Sequence, residues 1–382
     1  MTDTYDTIII GLGAMGSSAA YQLARRRQRV LGLERHTPAH AFGSSHGRSR
    51  IIRQAYMEGT EYVPLILRAY ELWEALEQAA GERLLTFTGG LTIGPPQSAG
   101  LQGVIRSAEA YNLFHEVLDA AEVRRRFPPL QLSNDLIALY EQRAGVLVPE
   151  ACINANLRLA AQQHAELHFE EPVLAWEAAA GGDRVRVTTA RGSYEAERLI
   201  IAAGAWAPEL LADLSIPFTI ERQVLYWFDP LGGTAPFAPD HFPIYMWEFD
   251  EQSAFYGFPA QQGSPGGVKI AFHTGGMPCT PETIRREVLP DEVAAMRAAL
   301  AERIPAINGR LLATATCMYT KVPDEHFVLG MHPHHPQVIV ASPCSGHGFK
   351  FSSVIGEVLA DLAQHGTTSL PISFFSPQRF VG

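Results

Sequence analysis

The sequence predicts an α/β domain interleaved with a smaller α+β domain built on an antiparallel sheet, and three observations carry that reading. A β-branched run, a glycine-rich turn and a helical stretch open the chain. Apolar runs ending in small-residue turns, the pattern of strands buried on both faces, recur in its middle and near its end. The stretches between them, 83–149 and 216–310, are richer in aromatics and turns, which suits an antiparallel sheet.

Thr7-Ile8-Ile9-Ile10 reads as the first strand, followed by Gly11-Leu12-Gly13-Ala14-Met15-Gly16, a helix over 17–27, a second apolar run Val30-Leu31-Gly32-Leu33, and Glu34. That order belongs to dinucleotide sites. Gly11 permits the tight turn, Gly13 lets backbone approach a pyrophosphate, and Gly16 lets the helix pack on the strand. The helix N-terminus offers free N–H groups and a partial positive charge to phosphate. Glu34 is placed to accept hydrogen bonds from a ribose diol, and its charge disfavours the 2′-phosphate of NADP. The motif alone does not separate FAD from NAD. Arg25, Arg26 and Arg27 read as a solvated helix end.

Farther along, 62–80 predicts an amphipathic helix with Leu65, Leu72, Trp73 and Leu76 on one side and Gly81 as its stop. A helix over 150–165 leads to Leu167-His168-Phe169, Val173-Leu174 and an alternating hairpin at Val185-Arg186-Val187. Residues 198–203 form a buried strand running into Gly204-Ala205-Trp206. Val338–Ser342 is a strand, Gly346-His347-Gly348 a turn, and 352–364 a helix. The expected division is 1–82, 150–215 and 311–382 for the dinucleotide domain and 83–149 and 216–310 for the second, with the active site in the crevice between them.

Composition removes several functions. With 40 acids against 30 bases, the net charge of −10 argues against nucleic acid as a partner. No apolar stretch approaches the roughly 18 residues of a membrane span, and the acidic opening Met1-Thr2-Asp3-Thr4-Tyr5-Asp6 is unlike a secretory signal, so a cytoplasmic location is expected. Cys152, Cys279, Cys317 and Cys344 lie far apart, which points to neither a disulfide framework nor a metal site. Only three of the 30 basic residues are lysine: Lys269, Lys321 and Lys350. A chain so biased toward Arg keeps Lys where a compact ammonium does something a planar guanidinium cannot.

Further segments are unusual in content and order: Ser45-His46-Gly47-Arg48-Ser49-Arg50 through Arg53, Ala205-Trp206, Tyr256-Gly257-Phe258-Pro259, Val268-Lys269-Ile270-Ala271-Phe272-His273-Thr274, Cys317-Met318-Tyr319, and Ser345-Gly346-His347-Gly348-Phe349-Lys350. Together they resemble the monomeric sarcosine oxidase and N-methyltryptophan oxidase family, nearly over the whole length. The resemblance implies an FAD-binding Rossmann-like domain interleaved with an α+β substrate domain, a likeness that settles the cofactor as FAD, and a monomer. It implies flavin attached through Cys317, contacts to FAD from Val173, Trp206, Gly348 and Lys350, and a substrate carboxylate held by Arg53 and Lys350. Lys269 matches the residue at the flavin face where O2 reacts. Arg50 and His46 match basic residues that stabilise negative charge on the ring. His273, Tyr256, Met246, Tyr319 and Gly346 line the matching substrate pocket.

Met246, Phe272-His273-Thr274 and Tyr319 point within that family to a sarcosine-sized pocket. The implied reaction converts sarcosine, O2 and water to glycine, formaldehyde and H2O2. Other readings are the same chemistry on N-methyltryptophan, a cyclic imino acid such as pipecolate or proline, or a glycated amino acid, and, more distantly, a flavin carrier without turnover. Two departures stand out. Arg48 replaces a usual acid, which is expected to alter charge near the flavin, and Pro343-Cys344 are expected to reshape the pocket wall. His332, His334 and His335 read as surface residues.

Overall fold

The computed structural model describes residues 4–179, 181, 183–249 and 253–381; Met1, Thr2 and Asp3 of the acidic opening lie outside them. The strand Thr4–Ile10 lies parallel between Val30–Leu33 and Ser193–Ile201. Glu166–His168 extends the parallel row on one side and Val338–Ser342 on the other. These strands are near-continuous apolar runs because both faces are covered. On one face, the helices Ala14–Ala24, Val63–Ala80, Pro149–Gln162 and Ser352–His365 pack Leu23, Trp73, Ile153 and Val358 against Ile9 and Ile200. Ser193–Ile201 also pairs antiparallel with Val185–Thr189, which continues to Val173–Ala178, while Val328–Met331 flanks Val338–Ser342. The sheet has eight strands among the described residues.

A second, mostly antiparallel sheet has nine strands among the described residues. Its spatial order is Met277–Pro278, Thr219–Asp229, Gly267–Phe272, Ala254–Gln261, Ile244–Glu248, Gly90–Gly94, Ile137–Glu141 and Glu116–Asp119, with Arg310–Lys321 also along Thr219–Asp229. Period-two alternation gives this sheet two different faces. Tyr226, Phe228, Val268 and Ile270 point into a core closed by the helix Pro290–Arg303. Leu225, Trp227, Lys269, Ala271, Cys317 and Tyr319 cluster on the opposite face. A small sheet of Arg50–Ile52, Gly145–Leu147 and Leu85–Phe87 carries Arg50.

The expected division at 310/311 cuts against this pairing. Arg310–Lys321 registers with Thr219–Asp229 along most of its length, so Cys317 is delivered by the antiparallel sheet. The first helix spans Ala14–Ala24 rather than 17–27, because it starts directly at Gly13 and the chain turns left-handed by Arg27. No helix among the described residues is long and apolar enough to cross a membrane.

Two glycines of the opening motif differ in what they protect. A Cβ on Gly16 would fall on the carbonyl oxygen of Gly11, whereas one on Gly13 would meet nothing within 4 Å. Gly16→Ala is therefore expected to lower the stability of the cofactor-free protein by about 1–3 kcal/mol, the usual cost of overpacking. Gly13→Ala should leave it nearly unchanged; thermal denaturation of the two cofactor-free variants checks the contrast.

Candidate active site

Two cavities meet at Ala14, Met15, Ser44, Ser45 and Cys344, which line both. The first is a partly open cleft with about 1070 Å³ of empty space, and it follows the strand ends of the parallel sheet, from Gly11 and Gly13 past Glu34 to Val173 and Trp206. Gly16, one turn into the helix, sits behind its wall. No side chain caps the helix that begins at Ala14. Glu34 Oε2 accepts the Leu12 N–H at 2.9 Å and Oε1 accepts that of His36 at 3.0 Å. Burial pushes its pKa up, but the His40 contact and these N–H bonds outweigh it and hold the carboxylate below its ordinary value. Trp206 packs against the His36 and His40 rings and under the Arg35 guanidinium.

The second cavity, about 900 Å³, lies between the two sheets. It collects Arg50, Arg53, Met246, Tyr256, His273, Cys317, Tyr319, Gly346, Gly348 and Lys350 from segments spread over 300 residues of chain. Met246, Tyr256, His273, Cys317 and Tyr319 come from the antiparallel sheet and its edge, Arg50 from the small sheet, and the rest from the segment after it and the turn at 346–350. Tyr256 and His273 meet edge to face at 6.2 Å, and His273 lies 5.9 Å from Tyr319. A Cβ on Gly346, at φ +80°, would come within 2.8 Å of the Tyr319 ring, so a glycine lets the turn close over that ring.

Lys269 and His46 stand one layer behind this wall. Lys269 is fully buried, and its Nζ donates to the carbonyls of Gly47 at 2.7 Å and Ser49 at 3.0 Å. Glu150, at the start of the helix Pro149–Gln162, holds that loop from the other side by accepting the N–H groups of Gly47 and Arg48. Burial, reinforced by Arg50, pushes the Lys269 pKa well below that of an ordinary lysine. Burial, with Arg50 and Lys269, pushes His46 down to about 3. His46 is therefore neutral near pH 7, and the positive charge expected of the pair comes from Arg50, whose guanidinium donates to the carbonyls of Ser49 and Ser44.

Arg53 is 2% exposed; its Nε and Nη1 have no hydrogen-bond partner, and its Nη2 lies 3.7 Å from Glu58 Oε2. Lys350 Nζ donates to the His347 carbonyl at 2.8 Å and to the Tyr56 hydroxyl at 3.3 Å. Burial and the Arg53 charge lower its pKa to about 7, against the opposing pull of Glu58. Burial raises Tyr256 to about 12 and keeps His273 below the ordinary imidazole value. The Cys317 thiol is raised by burial, with Arg50, Lys269 and Arg286 pulling the other way.

Sequence reasoning passed over Glu58, Glu141, Glu150, Tyr56 and Arg286. Glu141 accepts the N–H groups of Gln54 and Ala55, which fixes the loop bearing Arg53. Arg286 reaches the Phe42 carbonyl at 2.8 Å. Tyr56 and Glu58, three and five residues beyond Arg53, lay close enough in sequence to be noticed. Arg48 turns away from the cavity to the carbonyls of Gln262 and Ser264, so it does not change the charge facing it. Pro343 and Cys344 do line the wall. Lys321 makes ordinary ion pairs with Glu221 and Glu325.

His332, expected on the surface, is buried because Trp176 and His335 cover it. Its Nδ1 accepts the His334 N–H, which leaves the ring proton on Nε2, 3.0 Å from Asp213 Oδ2. With His335 these groups lie within 4.8 Å of one another, but the Nε2 proton occupies the position a metal ion would need.

Residues 6–362 match the family model described as FAD dependent oxidoreductase. A monomeric sarcosine oxidase from Streptomyces avermitilis is 54% identical over 100% of this chain and 99% of the relative. An N-methyl-L-tryptophan oxidase from Yersinia pestis is 35% identical over 98% and 99%. Among solved structures, NikD, an unusual amino acid oxidase essential for nikkomycin biosynthesis, superposes with a TM-score of 0.85 at 26% identity, covering 98% of both chains. With a family model spanning nearly all of its length and relatives of this similarity, the chain belongs to the FAD-dependent oxidoreductase family.

Proposed function

We propose that this protein is a flavin-dependent oxidase of N-methyl amino acids, with sarcosine as its substrate, forming glycine, formaldehyde and H2O2 from sarcosine, O2 and water. The observation that carries the reading is the pair Arg53 and Lys350, two buried cations with unfilled hydrogen-bonding capacity, at the end of a cavity continuous with the dinucleotide cleft. The residues present fit FAD. The uncapped helix start beside Gly13 and the buried Glu34 carboxylate suit a pyrophosphate and a ribose. The cleft runs from them to Cys317 and the cation cluster. FAD, when bound, accepts a hydride equivalent from the N-methyl carbon and passes the electrons to O2.

The chain's own residues supply binding, orientation and charge. Arg53 grips the carboxylate through its free Nε and Nη1, and Lys350 completes the neutralisation. Tyr256, His273 and Tyr319 wall the cavity where the amine would lie, and the 54% identity to a monomeric sarcosine oxidase favours sarcosine over a large aromatic. The low pKa of His273 keeps it neutral and able to accept a hydrogen bond from the amine. Arg50 supports negative charge as the ring is reduced. Lys269, held behind the cavity wall, lends positive charge through it to the region where charge would build on O2. Cys317, 2% exposed on the cavity wall, supplies the thiol for covalent attachment of the flavin. The sheets bearing these groups form the two interleaved domains, with Arg310–Lys321 assigned to the substrate domain.

Sarcosine added to the purified protein in air should yield formaldehyde and H2O2 in equal amounts, ahead of N-methyltryptophan, pipecolate and a glycated amino acid. Absence of both products removes the reading. Lys269→Met should slow flavin reoxidation by about a hundredfold while reduction by substrate changes little, measured by stopped-flow absorbance. Cys317→Ser should release the flavin on acid precipitation, whereas the parent chain keeps it.

The Lys350 pKa sets a pH dependence. Because the folded value, about 7, lies below that of free lysine, the charged form needed to bind a carboxylate is present below pH about 7 and lost above it. The dissociation constant of acetate should accordingly rise as pH increases through that value, followed by the perturbation of flavin absorbance.

A further inference from the structure

Behind Lys350 runs a chain of hydrogen bonds whose direction chemistry fixes. The Glu325 carbonyl can only accept, so His347 Nε2, 3.1 Å away, carries the ring proton. Burial keeps that ring neutral, with a pKa of about 4, and its Nδ1 is therefore an acceptor. The Tyr56 hydroxyl lies 2.7 Å from Nδ1 and donates to it. Its oxygen lone pairs are then free for Lys350 Nζ at 3.3 Å, while the His347 carbonyl takes a second ammonium proton at 2.8 Å. The third proton is left for the cavity that Lys350 lines.

The scaffold around this chain is rigid. Tyr56 is fully buried, stacks on Tyr62 at 4.7 Å and meets Phe351 edge to face at 5.1 Å. His347 stacks on Phe327 at 4.9 Å, and Trp73 Nε1 donates to the Lys350 carbonyl at 2.8 Å. The charged and titratable groups facing Lys350 are Arg53, which opposes its charge, and Glu58, which favours it, with Tyr56, His347 and His273 around them.

We propose that Tyr56, backed by His347 and the Glu325 carbonyl, is a positioning residue for the Lys350 ammonium, holding its direction and its charge toward a monocarboxylate ligand. This rests on reading Lys350 as a carboxylate-binding residue. A lysine on a flexible stem has no preferred direction of its own. Two fixed acceptors give it one, and the proton arrangement behind Tyr56 prevents that hydroxyl from donating back to the amine.

The test is acetate binding to the purified flavoprotein, read from flavin absorbance on either side of pH about 7. Tyr56→Phe keeps the ring and removes the acceptor. It should weaken acetate binding by about tenfold, the worth of one hydrogen bond to a charged group, and move the alkaline loss of binding to lower pH. Lys350→Met should bind weakly at every pH, and adding Tyr56→Phe to it should change nothing more. An unchanged pH profile in Tyr56→Phe, or effects that add in full, would overturn the proposal. If Tyr56→Phe does not fold, His347→Gln serves instead: the same downward movement supports the proposal and an unmoved profile overturns it. A parent protein that binds acetate but does not oxidise sarcosine removes the proposed reaction and leaves this inference standing. One that oxidises sarcosine without binding acetate overturns the inference alone.

Discussion

Buried cations held by main-chain carbonyls, rather than by carboxylates, are the constraint on which the rest of this molecule depends. The buried Lys269 rests on the carbonyls of Gly47 and Ser49, the half-buried Arg50 on those of Ser44 and Ser49, and the buried Lys350 on that of His347. Taking a charge out of water costs several kcal/mol even after relaxation. A carboxylate partner would offset that cost by cancelling the field, and the cavity would then have nothing to offer an anion. A carbonyl dipole satisfies the N–H groups and leaves the charge standing. Beside the cavity Glu58 is the exception: at 3.7 Å from Arg53, and also favouring the Lys350 charge, it balances these two cations only in part.

Carbonyls can serve this way only if the loops that carry them are fixed. Acids do the fixing here, since Glu150 pins the amides of Gly47 and Arg48, and Glu141 pins those of Gln54 and Ala55. Glu150 and Glu141 are spent on backbone N–H groups, and Lys269, Arg50 and Lys350 on backbone C=O groups, whereas Arg53 keeps its Nε and Nη1 free. The two sheets meet at these loops. Alternation along Gly267–Phe272 sends Val268 and Ile270 into an aromatic core and Lys269 toward the loop at 47–49, so the sheet's core packing determines where the lysine points.

Local chemistry was legible in the sequence. The glycine turn, Glu34 and the parallel strands each announce themselves within a few residues, because a tight turn and a twice-covered strand impose their own residue types. The scarcity of lysine drew attention to Lys269 and Lys350, both buried here, while Lys321 is an ordinary ion-pair partner. What stayed hidden depends on contacts across the whole chain. Tyr56 and His347 meet over a separation of 291 residues, and the turn that marks His347 in the sequence does not reveal that contact. The neutrality of His46 is likewise a property of its burial beside Arg50 and Lys269, as is the turn of Arg48 toward a distant loop. The pairing of Arg310–Lys321 with the antiparallel sheet escaped because an apolar run does not declare its partner strand.

In the site proposed for the flavin, positive charge left standing by its carbonyl partners has a direct consequence, since it stabilises the negative charge arriving with the electrons. The midpoint reduction potential of the purified flavoprotein, measured alongside free FAD in the same buffer, reads that field. The value is expected to lie above that of free FAD and to fall when Arg50 is replaced by Met. A value at or below that of free FAD, or one indifferent to Arg50, would contradict that expectation.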